Sequence, residues 1–150
     1  MKALLVVDVQ KGLMCKNIYN RELLIFTINK TISSYESNGN CIVLIQHNSK
    51  MLIEETKDWE IDENIKFKEN HKRVQKVHGN AFEKTDLKEF LDQKNINEVL
   101  VCGLVSHGCV KATCIGGLEA GFKVSILENG HSCWTGFEQF VVSFFKIKKS

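Results

Sequence analysis

The chain reads as an α/β protein, a three-layer α-β-α sandwich around a doubly wound, mostly parallel sheet of Rossmann-like type. Three observations predict this. Short apolar runs with strand character alternate with stretches of helical spacing. The runs are apolar on both faces, as strands buried in a parallel sheet are. The polar residues capable of chemistry cluster where these runs end, the edge at which such sheets bind ligands.

Lys2 to Asp8 is the first strand, central and parallel by its uniform apolarity. Gln10 to Tyr19 is a polar loop. Arg21 to Glu36 places Leu23, Leu24, Phe26, Ile28, Ile32 and Tyr35 at helical spacing, with Asn20 as N-cap and Asn38-Gly39 as the stop. Cys41 to Gln46 is the second strand. Asn48 to Glu69 is irregular and rich in Lys and Glu, and so long a connection suits a functional role.

Arg73 to Val77 reads as a short strand, and Thr85 caps a helix that runs to about Asp92. Glu98 to Leu104 is a buried strand, Cys109 to Ala120 a helix closed by Gly121, and Lys123 to Leu127 the next strand. The Gly116-Gly117 pair inside that helix fits a close helix–sheet approach. Phe137, Phe140, Val141, Phe144 and Phe145 recur at the spacing of an amphipathic helix. Alternation of this kind implies right-handed βαβ crossovers with helices on both faces.

The 150 residues fit one domain, and no linker, internal repeat or low-complexity segment interrupts them. With 20 basic against 18 acidic residues, the formal charge of +2 is too mild to argue for nucleic acid or a membrane surface. No apolar run approaches the ~18 residues of a membrane span, and the short run after Met1 lacks a cleavage site. The six cysteines show no CxxC spacing, which fits reduced thiols in the cytoplasm better than a disulfide framework. The chain has no proline, so its turns rely on Gly, Asn, Asp and Ser.

Cys109 lies between a strand-like and a helix-like run. A thiol in the first turn of a helix meets unpaired N–H groups and the positive end of the dipole, which favours the thiolate. Asp8 and Lys76 end other strands and so fall on the same edge. A hydrolase of amides needs a nucleophile, a proton shuttle and oxyanion donors. Cys109 suits the first role and Asp8 the second. Lys76 would hold the carboxylate and lower the thiol pKa. The backbone N–H groups of Val105 and Cys109 would form the oxyanion hole.

Each residue also has a plainer reading. A Cys is often a small core residue, as Cys102 and Cys114 are read here. An Asp at a strand end is often a turn former, and a Lys in a polar stretch is usually solvated. His107 and His131, near strand ends, read either as pocket-lining or as polar loop residues. His47, His71 and His78 give no metal-ligand spacing, and no GxGxxG or P-loop is present, so neither metal nor cofactor is expected. Two rival functions share the fold: a non-catalytic binding or scaffold protein, and a thiol redox sensor pairing Cys109 with Cys102 or Cys114.

Three ordered blocks carry a family resemblance. They are Ala3-Leu-Leu-Val-Val-Asp-Val-Gln10, then Lys76-Val-His-Gly-Asn-Ala-Phe82 with Thr85 and Leu87, then Gly103-Leu-Val-Ser-His-Gly-Cys-Val110 with Thr113. Together they resemble the isochorismatase-like cysteine hydrolases, the superfamily that includes nicotinamidases. The resemblance implies Asp8, Lys76 and Cys109 as the catalytic set and a cis peptide between Leu104 and Val105. It implies Gln10 and Phe82 as pocket residues, beside His107 and His131. Because the family branch that cleaves a vinyl ether lacks the Cys, it implies C–N cleavage of a small-molecule amide with water as second substrate. The metal-binding Asp-x-His of nicotinamidases has no counterpart in Ile45-Gln-His-Asn-Ser49. Relative to the family the chain is short after Gly130-His-Ser132, and its Phe-rich end predicts burial in a homo-oligomer.

Overall fold

The computed structural model describes residues 1–141. Five strands form one parallel sheet in the order β3-β2-β1-β4-β5. They are β1 (Lys2–Val7), β2 (Cys41–His47), β3 (Lys72–Lys76), β4 (Glu98–Leu104) and β5 (Lys123–Ser132). The helices are α1 (Lys11–Met14), α2 (Arg21–Ser37), α3 (Leu87–Gln93) and α4 (Lys111–Glu119). The strand order reverses direction at β1, so β1 and β4 flank the switch point where such sheets open a crevice.

Strand alternation divides the core in two. Ala3, Leu5 and Val7 face the side holding Leu87 and Leu91 of α3 and Cys114 of α4. Leu4 and Val6 face the opposite side, against Leu24, Ile28 and Ile32 of α2. Helices on both faces explain why β1 is apolar throughout its buried length. The expected α/β sandwich and parallel sheet are therefore present.

Several boundaries differ for local reasons. The predicted loop after Gln10 contains the single helical turn α1, too short to produce a periodic signal. Asn20 precedes α2 as expected but is left-handed (φ 52°), and its side chain makes no capping bond. Thr85 does accept the Leu87 N–H, at 3.3 Å, although Asp86 is the residue next to α3. β5 runs past Leu127 because a bulge lets it pair again, His131 with Gly103 and Ser132 with Leu104. Cys109 precedes α4, inside a wide turn (Ser106–Val110) that breaks at Gly108 (φ −112°, ψ −114°). Gly117 confirms the close helix–sheet approach, since a Cβ there would lie 2.9 Å from the Val124 side chain of β5.

The segment 48–69 is held by turns and by the backbone. Gln10 bridges to Ile61, and the Asp62 N–H donates to the Val9 carbonyl at 2.9 Å. Phe137 and Phe140 expose much of their rings, as an uncovered apolar face would. Val141 closes the described part of that predicted helix, whose Phe144 and Phe145 lie outside the described residues.

Gly103 of β4 pairs with Val7 of β1. Its φ is +117°, and a Cβ would stand 2.0 Å from the Val7 carbonyl oxygen. Gly103→Ala should therefore lower stability by at least ~2 kcal/mol. Urea denaturation of the two proteins reads this directly, and an unchanged midpoint would contradict it.

Candidate active site

Strand register brings the site together. Val7 pairs with Ile45 on one side and Gly103 on the other, so Asp8, the next residue, emerges at the carboxyl edge. His47 pairs with Lys76 at the ends of β2 and β3. Asp8 takes a left-handed conformation (φ 55°) while its N–H donates to the Ile45 carbonyl at 3.0 Å. Asp tolerates this region better than most residues. The Leu104–Val105 peptide is cis, and the wide turn that follows delivers Cys109 to the same edge.

The Lys76 side chain has no exposed surface. Its Nζ donates to Asp8 Oδ2 at 3.2 Å and to Cys109 Sγ at 3.2 Å, and it lies 2.7 Å from His47 Nδ1. Asp8, Lys76 and Cys109, expected together from their strand ends, are in contact. Asp8 Oδ1 is buried without a hydrogen-bonded nitrogen or oxygen among the described residues. The Cys109 thiol neighbours that carboxylate, so the group able to accept its proton has an open acceptor.

Electrostatics overturn one expectation. Burial, then the Asp8 charge, push the Cys109 thiol up to about 11, and Lys76 only partly opposes them. Burial and the neighbouring carboxylate thus favour the thiol over the thiolate. The cause is position: Cys109 lies in the bent turn before α4, half-buried beside an anion. Burial also raises the Asp8 carboxyl above its ordinary value, against the pull of Lys76, Cys109 and His47. Both groups are therefore harder to ionise than when free, and Lys76 opposes the rise in each.

A cavity of about 270 Å³ opens over these groups. Asp8, His47, Val105 and Cys109 line it, with Leu13 of α1, Trp134 after β5, and Ser49, Met51, Leu52 and Asp58 from the long connection. Part of the long connection, for which a functional role is expected, thus lines the cavity, and so do Val105 and Cys109.

The other expected pocket residues lie elsewhere. Gln10 is fully buried and clamps the site from behind, its Nε2 donating to the carbonyls of His47 (3.1 Å) and Trp59 (2.8 Å). Phe82 packs on Phe122, ring centroids 5.5 Å apart, in the core. His107 is exposed and stacks on Phe140 at 4.4 Å. His131 is buried, its Nδ1 2.7 Å from Ser106 Oγ, and burial pushes its pKa down to about 4. It braces the start of the turn bearing Cys109. None of the four lines the cavity.

His47 is the residue missed by sequence reasoning. Its signal was present, since it ends a strand at the same edge as Asp8 and Lys76. Asp8, His47 and Cys109 offer donor atoms within 4.8 Å of one another, a set a divalent ion could use. The Lys76 ammonium already touches all three, so an ion there would meet a buried like charge.

Removing that ammonium leaves the Asp8 carboxylate buried and unpaired. Lys76→Met should cost about 3 kcal/mol, and adding Asp8→Asn should recover part of it. Urea midpoints of the single and double variants test this, and equal stability of Lys76→Met and wild type would refute it.

Comparison with known proteins places this site in context. Residues 2–141 match the model of the isochorismatase domain. The chain is 28% identical over 135 residues to the uncharacterized isochorismatase family protein YddQ of Bacillus subtilis, covering 85% of this chain and 75% of that one. It is 25% identical over 138 residues to the streptothricin hydrolase of Streptomyces noursei, covering 89% of this chain but only 55% of that one. A crystal structure of an isochorismatase family protein superposes with a TM-score of 0.92 at 22% identity, over 97% of this chain and 92% of that one. The N-carbamoylsarcosine amidase of Thermoplasma acidophilum gives 0.83 at 18% identity, over 99% and 94% of the two chains. With the domain match running the length of the sheet and across Asp8, Lys76 and Cys109, the chain belongs to the isochorismatase family of hydrolases.

Proposed function

We propose that the protein hydrolyses a small amide through a thioester on Cys109. The observation that carries the reading is the buried Lys76 ammonium, 3.2 Å from both the Asp8 carboxylate and the Cys109 sulfur. Relatives named as a hydrolase and an amidase lend the reaction class.

Asp8 takes the thiol proton as sulfur attacks the amide carbon. A neutral resting thiol suits this order, because the thiolate is generated only against bound substrate. The C=O bond becomes an oxyanion, met by the N–H groups of Val105 and Cys109, each such donor contributing ~3 kcal/mol of transition-state stabilisation. As the tetrahedral intermediate collapses, the C–N bond breaks and Asp8 returns the proton to the departing nitrogen. Water then attacks the thioester. Asp8 takes its proton and passes it to the Cys109 sulfur as the acid leaves, and the enzyme is restored. Lys76 keeps its charge throughout and holds Asp8 in place.

The wall is mostly apolar, with Leu13, Met51, Leu52, Val105 and Trp134 facing the space, which suits a compact acyl group. Among the described residues no helix is long and apolar enough to cross a membrane. Burial of the exposed Phe137 and Phe140 rings in a homo-oligomer belongs to the same proposal.

Ammonia or amine release from a panel of small amides, with intact-mass detection of an acyl adduct, tests the reading. Cys109→Ala should abolish both signals, and Asp8→Asn should slow turnover by about 10²–10⁴. Undiminished hydrolysis by Cys109→Ala would sink the nucleophile assignment.

A further inference from the structure

His47 has no part in the steps above, yet it borders the reacting groups. A lysine ammonium has three N–H donors and no acceptor. Nζ of Lys76 directs them at Asp8 Oδ2, Cys109 Sγ and His47 Nδ1. Nδ1 of His47 is therefore an acceptor, and in the neutral ring the proton is on Nε2. Burial and the adjacent ammonium hold the ring below its ordinary pKa, which keeps it neutral.

The backbone of His47 is also held from behind. The His47 N–H donates to Gln10 Oε1 at 2.9 Å, and its carbonyl accepts from Gln10 Nε2 at 3.1 Å. Nε2 has no hydrogen-bond partner among the described residues, and His47 lines the cavity with Asp8, Val105 and Cys109. The site thus holds an oriented donor in addition to the two backbone N–H groups assigned to the scissile oxygen.

We propose that His47 is a substrate-binding residue whose Nε2–H donates to an acceptor atom other than the scissile carbonyl oxygen. The site then selects small amides that carry a second oxygen or nitrogen acceptor within a few bonds of the carbon attacked. The substrate class rests on the amide-hydrolase reading; the donor itself does not.

Two measurements test this. Long-range ¹H–¹⁵N NMR of the wild-type protein reads the tautomer, and the expected result at neutral pH is Nε2–H with Nδ1 bare. An Nδ1–H tautomer or an imidazolium overturns the proposal. The second measurement compares alkylation of Cys109 by iodoacetamide, which carries an acceptor carbonyl, with alkylation by allyl iodide, which has none. His47→Asn keeps an acceptor for Lys76, but its amide N–H groups lie short of the position of Nε2. His47→Gln keeps an amide N–H near the position of Nε2. The iodoacetamide preference should fall about fivefold in the Asn variant, the loss of one hydrogen bond to a neutral ligand, and stay near wild type in the Gln variant. A preference unchanged in His47→Asn also overturns the proposal. Inertness of the wild-type thiol toward both reagents strikes at the amidase reading instead, and the tautomer then decides the His47 donor.

Discussion

The contact of the Lys76 ammonium with Asp8, His47 and Cys109 organises this molecule. A cation with no exposed surface is costly to bury unless its charge is matched and its protons are accepted. Here one carboxylate matches the charge, and the three acceptors come from the ends of β1, β2 and the turn after β4. The cluster therefore ties four elements together at one edge of the sheet. It also sets the local proton balance. Burial makes Asp8 harder to ionise while Lys76 opposes that, and burial with the Asp8 charge favours the thiol form of Cys109.

The rest of the fold serves that edge. Helices on both faces let the central strands be apolar throughout and bring their ends to one crevice. Gly103 leaves no room for a side chain against Val7, three residues before the turn that carries Cys109. Gln10 has no place in the cavity wall, yet it fixes His47 and Trp59 and so holds the long connection against the site. His131 works similarly from β5, through Ser106. Both residues matter through the groups they position.

Much of this was legible in the sequence. Asp8, Lys76 and Cys109 could be grouped because strand ends are visible as the limits of apolar runs, and a parallel sheet brings those ends together. His47 obeyed the same rule. Its signal is missed because His47, unlike His107 and His131, is weighed with His71 and His78 for metal-ligand spacing rather than for strand position. Gln10, Phe82, His107 and His131 were expected in the pocket, but the direction of a side chain near a strand end depends on bends such as the turn at Gly108 and the bulge in β5. Those bends have little periodic signature. The thiol pKa was misread for a related reason. Helix placement suggested activation, whereas burial and the neighbouring carboxylate are properties of tertiary packing.

The central claim is that Cys109 rests as a thiol under the control of Asp8. The most direct test is the pH dependence of iodoacetamide alkylation, mapped by mass spectrometry to each of the six thiols, in wild type and in Asp8→Asn. Because the carboxylate raises the thiol pKa, its removal should shift the Cys109 profile to lower pH. In wild type the rate should keep rising beyond the ~8.5 of a free cysteine. A wild-type profile that saturates below neutral pH, or one unmoved by Asp8→Asn, would contradict the account.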